Sequence, residues 1–564
     1  MKNKKESALS LTQQEITELL KTTPSGIKKY IDELEGQIKN LSEIGVALSK
    51  EKDRGKILET ILLEAKRISS ADGGTIYMKT DDNRLKFEIM MTDSLGIHFG
   101  GTSAEPIPDT IYPVKLYNPE TNQPNHKNVS AYAALTGETV NIKDAYKEKG
   151  FDFSGTKGWD KRHGYRSKSF LTVPMKNHED NIIGVLQLLN TKNPSTGEIA
   201  SFSTSIKMIE SLASQAAIVI TNKNLIRELE VLFESFIKLI ATAIDKKSAY
   251  TGGHCSRVPE ITMMLADAVG KIKSGKYKNF DMNPDERNEL YIAAWLHDCG
   301  KVATPTHIVD KGTKLEKIFD RINIINMKFE VLRRDKEIEF LKKIYKLKNS
   351  DKTVLEKLKS EYKRQMKQLD EDEAFLERCN IGGEFMLEEL QERVIQIAKY
   401  PFKEKGKKKP FLSKDEVRNL NISKGTLLPE EREIINSHIS ITIDMLEQLP
   451  YPKHLKNIPE FAGGHHEKLD GTGYPRGLTE NQMSPQAKMI AIADIYEALT
   501  AADRPYKEGK KLSEAMRIMG FMNKDRHIDK DLFKIFVKEG IYKKYAKKFL
   551  KPNQIDKVDE TVIL

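Results

Sequence analysis

Two short segments combine histidine, acidic and lysine side chains in patterns that suit a metal site. One is His297-Asp298-Cys299-Gly300-Lys301, and the other runs from His465 to Leu478 with the sequence HHEKLDGTGYPRGL. Neutral imidazoles bind divalent transition metals, and one carboxylate can bridge two such ions. Bridged metals suit hydrolysis of an unactivated phosphodiester, because they activate water and hold both oxygens of an in-line displacement. The two segments therefore predict a two-metal hydrolytic centre.

A further carboxylate, Asp494, interrupts the apolar helical pattern of residues 487–499. Burying an unpaired carboxylate costs several kcal/mol, so Asp494 is expected to face a cation. A salt bridge to Lys or Arg is the alternative to a metal. The presence of His297, Asp298 and the histidine pair elsewhere in the chain favours metal ligation.

These residues resemble the HD-GYP phosphodiesterases, the metal-dependent subset of the HD superfamily that hydrolyses cyclic di-GMP. The resemblance covers roughly residues 235–310 and 425–510. It rests on the HDxGK motif, the HHExxDGxGYPxGL motif, and Asp494 followed by Asp503-Arg504-Pro505-Tyr506. The family implies an all-α catalytic domain that converts cyclic di-GMP to pGpG, with GMP as a further product.

The resemblance also implies a set of metal ligands. His254 and His438 match two further ligand positions by their motif context, although an isolated helical histidine is usually structural. Iron is the metal that the family implies first and manganese second, since His-rich ligation fits both. A third metal is not expected, because Tyr250 stands where some members carry a glutamate. The implied first metal has the ligands His254, His297, Asp298 and Asp494, and the second has Asp298, His438, His465 and His466.

Catalytic and substrate-binding roles follow from the same resemblance. Asp298 bridges the metals, and Lys301 contacts the scissile phosphate, because a lysine charge can stabilise the developing negative charge. The alternative for Lys301 is a simple pair with a neighbouring carboxylate. The substrate pocket is expected to include Gly473, Tyr474, Pro475 and Arg504. For Tyr474 and Arg504 a purely architectural role, plugging a loop and capping a helix, stays open.

Composition limits the remaining possibilities. A chain of 564 residues is long enough for three or four domains. It has no apolar run of membrane-spanning length and no signal-like segment in MKNKKESALS, so a cytoplasmic protein without a membrane span is expected. Three cysteines without a CxxC motif fit a reducing compartment. The 92 basic residues are balanced by 82 acidic ones, so nucleic-acid binding is not expected.

Residues 43–222 read as an α+β domain with strand-like runs between helices, which predicts one antiparallel sheet covered on one side. The segments 135–144 and 184–190 resemble a GAF domain. GAF domains that bind cyclic nucleotides carry an Asn-Lys…Phe…Asp-Glu pattern, but here Asn190, Lys192 and Phe202 lack the acidic pair. We expect a sensory domain whose ligand the sequence does not identify.

Between the two domains, a heptad-like apolar pattern predicts a parallel coiled coil that pairs two chains. A helix packed against its own domains has the same stripe and is the alternative. The predicted division is a helical lead over 1–42, the GAF domain over 43–222, the signalling helix over 223–245, the catalytic domain over 246–520 and a helical tail over 521–564. The catalytic domain contains an insertion over about 311–425, in which residues 338–347 and 354–362 are expected to form a charged helical hairpin around a connection at 348–351. The apolar pattern comprises Leu225, Leu229, Leu232, Phe236, Leu239 and Ala243.

The sequence therefore predicts a GAF domain followed by an all-α HD-GYP domain, a cyclic di-GMP phosphodiesterase that forms a homodimer through helix 225–243. Two other functions stay open. One is a non-catalytic effector that only binds cyclic di-GMP, and the intact ligand set with Lys301 disfavours it. The other is an HD phosphohydrolase acting on another nucleotide, and the Gly-Tyr-Pro turn disfavours that without excluding related cyclic dinucleotides.

Overall fold

The computed structural model describes residues 25–51, 53–103, 105–203, 206–247, 253–347, 352–383, 385–502 and 509–564. The chain divides into two compact units, Met1–Val231 and Leu232–Leu564. Among the helices within the described ranges, none combines the length and the apolar character that a bilayer span requires.

The first unit is built on an antiparallel sheet in the order β3-β2-β1-β7-β6-β5, with β4 paired to β2. Its strands are Ala71–Lys79 (β1), Arg84–Thr92 (β2), Ile97–Gly100 (β3), Val114–Lys115 (β4), Val140–Ile142 (β5), Phe170–Lys176 (β6) and Ile182–Thr191 (β7). Its helices are Ser25–Lys50 (α1), Arg54–Ser69 (α2), Val129–Thr136 (α3), Ser154–His163 (α4) and the start of Ile206–Lys247 (α5).

Both faces of this sheet are covered, so the expectation of a sheet covered on one side was wrong. Ile76 of β1 packs in a core with α1, α2 and α5, whereas its neighbour Tyr77 packs in a second core with α3. Successive residues of a strand point to opposite faces, so burial on both faces produces a continuous apolar run instead of an alternating one. The strand β1 has this character, since it is buried from Ala71 to Met78.

The second unit is mainly helical, as the family resemblance implies. Its helices after α5 are His254–Val269 (α6), Pro284–Leu296 (α7), Thr306–Val309 (α8), Ile322–Lys346 (α9), Lys352–Asn380 (α10), Glu388–Ala398 (α11), Lys414–Leu420 (α12), Pro429–Glu447 (α13), Ile458–Gly463 (α14), Pro485–Thr500 (α15), Leu512–Lys524 (α16), Lys530–Lys538 (α17), Ile541–Phe549 (α18) and Glu560–Ile563 (α19).

One apolar core joins α6, α7, α15 and the C-terminal helices of this unit. Phe533, Phe536, Tyr542 and Tyr545, from the region predicted as a helical tail, are fully buried in it. The C-terminal stretch is therefore part of the main apolar core of the second unit. These residues are helical as predicted, but the sequence does not indicate what they pack against.

The predicted insertion has a separate apolar core that includes Phe329, Leu376 and Phe411. The expected helical hairpin is present and longer than predicted, since α9 and α10 flank the predicted connection at 348–351, which lies outside the described residues. A small hairpin of Pro401–Glu404 (β8) and Lys407–Pro410 (β9) carries a lysine-rich run, residues 403–409. This run is exposed, in keeping with a solvated loop.

Candidate metal centre

His254 is the first residue of α6 and is held there by a cap from the preceding helix. The carboxylate of Asp245, near the end of α5, accepts hydrogen bonds from the backbone N–H groups of Gly253 at 3.1 Å and Cys255 at 3.2 Å. These are N–H groups of the first turn, which have no partner within a helix. The end of α5 thereby fixes the start of the helix that carries His254.

His297 and Asp298 directly follow α7, and Lys301 lies in the tight helical turn Cys299–Ala303. Gly300 is required in this turn, because a Cβ there would lie 2.0 Å from the carbonyl oxygen of His438. The Gly300 N–H donates to Thr442 Oγ1 at 2.8 Å. This close approach brings α13, and with it His438, against the His-Asp turn.

The remaining predicted ligands lie just after one helix and on another. His465 and His466 follow α14, and Asp494 lies on α15. His465 is buried, whereas His466 and Asp494 are partly exposed. Five segments of the unit therefore converge on one small volume.

The structure brings the seven predicted ligand side chains together in two groups that share Asp298. Within each group the possible ligand atoms lie within 4.8 Å of one another. Asp298 Oδ2 lies 3.1 Å from His254 Nε2 and 3.2 Å from His297 Nε2, whereas Asp298 Oδ1 lies 3.1 Å from His438 Nε2. The two oxygens of one carboxylate therefore face different groups. The first group is His254, His297, Asp298 and Asp494, and the second is Asp298, His438, His465 and His466.

Hydrogen bonds at Nδ1 orient the histidine rings. His297 Nδ1 donates to the carbonyl of Ala294 at 2.8 Å, His465 Nδ1 to that of Ala462 at 2.5 Å, and His438 Nδ1 to that of Ile435. Because Nδ1 donates in each ring, Nε2 is the acceptor nitrogen, and it faces the centre. This is the usual arrangement around a metal-ligating histidine.

The donor set fits divalent metals. Asp298 Oδ1, His438 Nε2 and His465 Nε2 are buried and have no hydrogen-bond partner. Buried polar atoms are normally satisfied, because an unsatisfied one costs about 1–3 kcal/mol or more. A cation between these three acceptor atoms would satisfy all of them together.

The pKa values also indicate that the surroundings of His254, in the first group, attract positive charge. Burial alone lowers the pKa of His254, but the charges of Glu497 and Asp298 outweigh burial and raise it to about 10. Burial raises the pKa of Asp298, but Lys301 and His297 together hold it well below its ordinary value. Burial and the neighbouring histidines keep the pKa values of His465 and His466 well below the ordinary value, so both rings are neutral.

Lys301 forms an ion pair with Asp298, at 2.5 Å between Nζ and Oδ2. This contact matches the alternative in which the lysine pairs with a neighbouring carboxylate. The charge of Asp298, with that of Asp494, raises the pKa of Lys301 despite burial, so the lysine is cationic. Lys301, His254 and Asp298 also line a small cavity beside the centre.

The Gly-Tyr-Pro turn lies against the second group. The ring of Tyr474 stacks on that of His466, with centroids 4.9 Å apart and planes at 16°. Gly473 allows the close return of the turn, because a Cβ there would lie 2.3 Å from the backbone nitrogen of Lys468. Pro475 is exposed next to Tyr474. The predicted substrate residues of the turn therefore border the metal centre.

Two predicted positions, Tyr250 and Arg504, lie outside the described residues. The absent glutamate at position 250 and the phosphate or guanine contact of Arg504 therefore stay predictions.

Three side chains that support the centre were not predicted from the sequence, namely Glu497, Arg257 and Glu467. Glu497 accepts a hydrogen bond from His254 Nδ1 at 2.5 Å and also pairs with Arg257. Buried Glu467 accepts from the N–H groups of Arg476 and Leu478 at 2.7 and 2.9 Å and so closes the Gly-Tyr-Pro turn. A signal existed for Glu497, since it lies three residues after Asp494 and therefore on the same face of α15.

Family models match three parts of the chain. A GAF domain matches residues 53–220, an HD domain matches residues 251–374, and a second HD domain model matches residues 414–532. The break between the two HD matches falls within the predicted insertion.

Several relatives are similar over short segments. A cyclic di-GMP phosphodiesterase of Pseudomonas aeruginosa is 51% identical over 79 residues, which cover 14% of this chain and 18% of the relative. A cyclic di-GMP phosphodiesterase of Thermotoga maritima is 42% identical over 93 residues, covering 16% of this chain and 25% of the relative. A 3'3'-cGAMP-specific phosphodiesterase of Vibrio cholerae is 39% identical over 95 residues, covering 17% and 20%. The similarity thus spans at most a quarter of the length of these three relatives.

Proposed function

For a chain that carries a GAF domain followed by an HD region, we propose the function of a metal-dependent phosphodiesterase that hydrolyses cyclic di-GMP to pGpG. GMP is the second product to be tested. The single observation that carries this proposal is the pair of oxygens of Asp298. Each oxygen faces a different group of histidine ligands, and Oδ1 has no hydrogen-bond partner in its buried position.

Two divalent metals would be held by the two groups that share Asp298. Iron is the first candidate and manganese the second, because imidazole-rich sites accept both. When bound, such a pair supplies Lewis-acid activation of water and of the phosphoryl group. The first metal would have the ligands His254, His297, Asp298 and Asp494, and the second would have Asp298, His438, His465 and His466.

The side chains next to these groups would act on the substrate itself. Lys301 keeps its proton, so its ammonium group can bind a phosphate oxygen and stabilise the charge that develops there. Gly473, Tyr474 and Pro475 would form one wall of the pocket. The ring of Tyr474 already covers His466, which leaves its other face for a guanine base. Arg504 would contact a phosphate or a guanine edge.

The GAF domain is proposed to regulate this activity through α5. The side chains of Leu229, Leu232, Phe236 and Leu239 are between 51% and 64% exposed in the single chain. This exposure disfavours the alternative of a helix packed on its own domains and supports a parallel homodimer through residues 225–243.

The end of α5 is bonded to the centre. Lys247 Nζ donates to the carbonyl oxygens of Thr304 at 2.8 Å, of Lys301 at 3.3 Å and of Val302. Asp245 caps the helix of His254. A shift of α5 would therefore reach both the first metal group and Lys301. The three buried free thiols fit a reducing, cytoplasmic setting for this signalling.

A second substrate is favoured by one specific observation. Among the relatives are proteins named 3'3'-cGAMP-specific phosphodiesterases, at 39% and 44% identity over the matched segments. The two dinucleotides differ only in one base, so the same centre can hydrolyse both. The base-contacting residues would decide the preference.

The test is an assay of anaerobically purified, metal-loaded protein with cyclic di-GMP and with 3'3'-cGAMP, in which products are identified by chromatography. The proposal expects linear pGpG or GMP from cyclic di-GMP, and no product from a His297→Ala/Asp298→Ala variant. Tight binding of cyclic di-GMP without any hydrolysis would instead support the non-catalytic effector. Hydrolysis of 3'3'-cGAMP alone would replace the proposed substrate.

A further inference from the structure

Glu497 is a buried carboxylate next to the first metal group that none of the proposed roles uses. It lies on α15, three residues after Asp494, and is 1% exposed. One oxygen accepts from His254 Nδ1 at 2.5 Å, and the other accepts from Arg257 at 2.7 Å through Nε and at 2.6 Å through Nη2. A full negative charge is thus buried between one histidine and one arginine.

His254 differs in this respect from three other histidines of the centre. The rings of His297, His438 and His465 are each oriented by a backbone carbonyl three residues earlier. A backbone carbonyl stays in place as long as the local turn is formed. His254 is the first residue of its helix, and at this ring a side-chain carboxylate takes the place of the carbonyl.

We propose that Glu497 is a positioning residue for the first metal, acting through His254, and that Arg257 holds Glu497 in place. This inference rests on the proposed two-metal function. Glu497 accepts a hydrogen bond from Nδ1 of His254, which leaves Nε2 as the nitrogen available to a metal. Nε2 faces Asp298 Oδ2 at 3.1 Å and Asp494 Oδ1 at 3.4 Å. A carboxylate partner also makes the ligand nitrogen more basic than a carbonyl partner does.

The consequence is an asymmetry between the two metals. Among the described side chains of the second group, none is hydrogen-bonded to Glu497, and the rings of His438 and His465 are oriented by backbone. Loss of Glu497 should therefore weaken the first metal and leave the second bound. A role in fold stability alone would affect both metals equally.

The test measures metal stoichiometry and affinity in Glu497→Gln and Glu497→Ala variants of the full chain, using Mn²⁺ titration of protein stripped with a chelator. Gln retains an oxygen that accepts from Nδ1 but removes the charge, whereas Ala removes both. We expect two metals for the wild type, with the first bound 10–100-fold more weakly in Glu497→Gln, the usual cost of losing such a partner. Glu497→Ala should retain one metal.

Glu289→Gln is a matched control. Glu289 is another buried carboxylate of the same core, 2% exposed, and it accepts from the backbone N–H and the side-chain amide of Asn457 at 2.6 and 3.1 Å. This variant should bind both metals as the wild type does. If Glu497→Ala does not fold, the affinity of the folded Glu497→Gln variant decides.

The possible failures are distinct. If the wild type binds two metals and both Glu497 variants bind them with unchanged affinity, the inference about Glu497 is overturned and the proposed function stands. Equal weakening of both metals in Glu497→Gln and Glu289→Gln would also overturn it, because this result indicates general destabilisation. A wild type that binds no metal overturns the proposed function and the inference with it.

Discussion

Each unit of the molecule buries a cluster of charged and polar side chains, and the two clusters differ in whether they are complete. In the first unit Asp72 is 3% exposed, and both of its oxygens have partners. Lys192 Nζ donates to Oδ1 at 2.6 Å, while Ser94 and Tyr165 donate to Oδ2 at 2.5 and 2.7 Å. Asn190 in turn donates to Tyr165 at 2.8 Å. A cluster that satisfies itself in this way stabilises the fold without needing a ligand.

The cluster around Asp298 also buries charged and polar side chains, but three of its acceptor atoms have no hydrogen-bond partner. Asp298 Oδ1, His438 Nε2 and His465 Nε2 are acceptor atoms buried together, and they have no hydrogen-bond partner. Acceptors alone cannot satisfy one another, so an added cation is the simplest way to stabilise them. In this protein, unsatisfied acceptors, more than buried charge itself, distinguish the candidate binding centre from the structural network.

The largest expected effect comes from Asp298→Ala, which removes the one ligand that both groups share. We expect both metals to be lost and hydrolysis to fall by about a thousandfold or more, since metal assistance contributes several kcal/mol and each 1.4 kcal/mol is a factor of ten. Metal analysis and the product assay measure these effects. A variant that keeps two metals and normal turnover would show that Asp298 is not the shared ligand of two catalytic metals.

Replacing Lys301 with Met should have a somewhat smaller effect. Methionine keeps the length of the side chain but removes the charge, so kcat should fall by about 10²–10³-fold, as for other lost charge-stabilising groups. Metal content should stay at that of the wild type. An unchanged kcat would mean that Lys301 serves only as the ion-pair partner of Asp298.

Asp72→Ala tests the cluster of the first unit, in which both oxygens of Asp72 have hydrogen-bond partners. We expect the free energy of unfolding of the first unit to fall by about 3 kcal/mol, the lower end for a buried ion pair because Lys192 is half-exposed. Metal content and turnover should not change. Denaturant unfolding measures the effect, and the double variant Asp72→Ala/Lys192→Met should recover part of the loss. A loss of metal in Asp72→Ala would contradict the separation of the two clusters.

The smallest effect on either cluster is expected from charges in the stripe of α5. In a Leu232→Glu/Phe236→Glu variant, like charges would be buried in the proposed helix pair at a cost of several kcal/mol. Sedimentation should detect a monomer that retains its metals but no longer responds to the GAF domain. Glu230→Lys, outside the stripe, is the control. A monomeric wild type would show that residues 225–243 do not pair two chains.

Short motifs predicted the seven side chains that the structure brings together in two groups, and they also predicted a GAF domain followed by a helical HD region. The sequence did not predict Glu497, whose importance depends on contact with His254, a residue 243 positions earlier. Likewise, it did not predict that Lys192 pairs with Asp72 of β1, a residue 120 positions earlier. Periodicity predicts which face of an element is buried, whereas these pairings depend on which elements become neighbours.

The claim that the two groups sharing Asp298 hold a catalytic metal pair can be tested directly. The measurement is the metal content of anaerobically purified wild-type protein, determined together with its activity on cyclic di-GMP. A centre built on two groups that share Asp298 predicts two metal ions per chain, and loss of hydrolysis in proportion to metal removal. Full hydrolytic activity with less than one metal per chain would contradict the account.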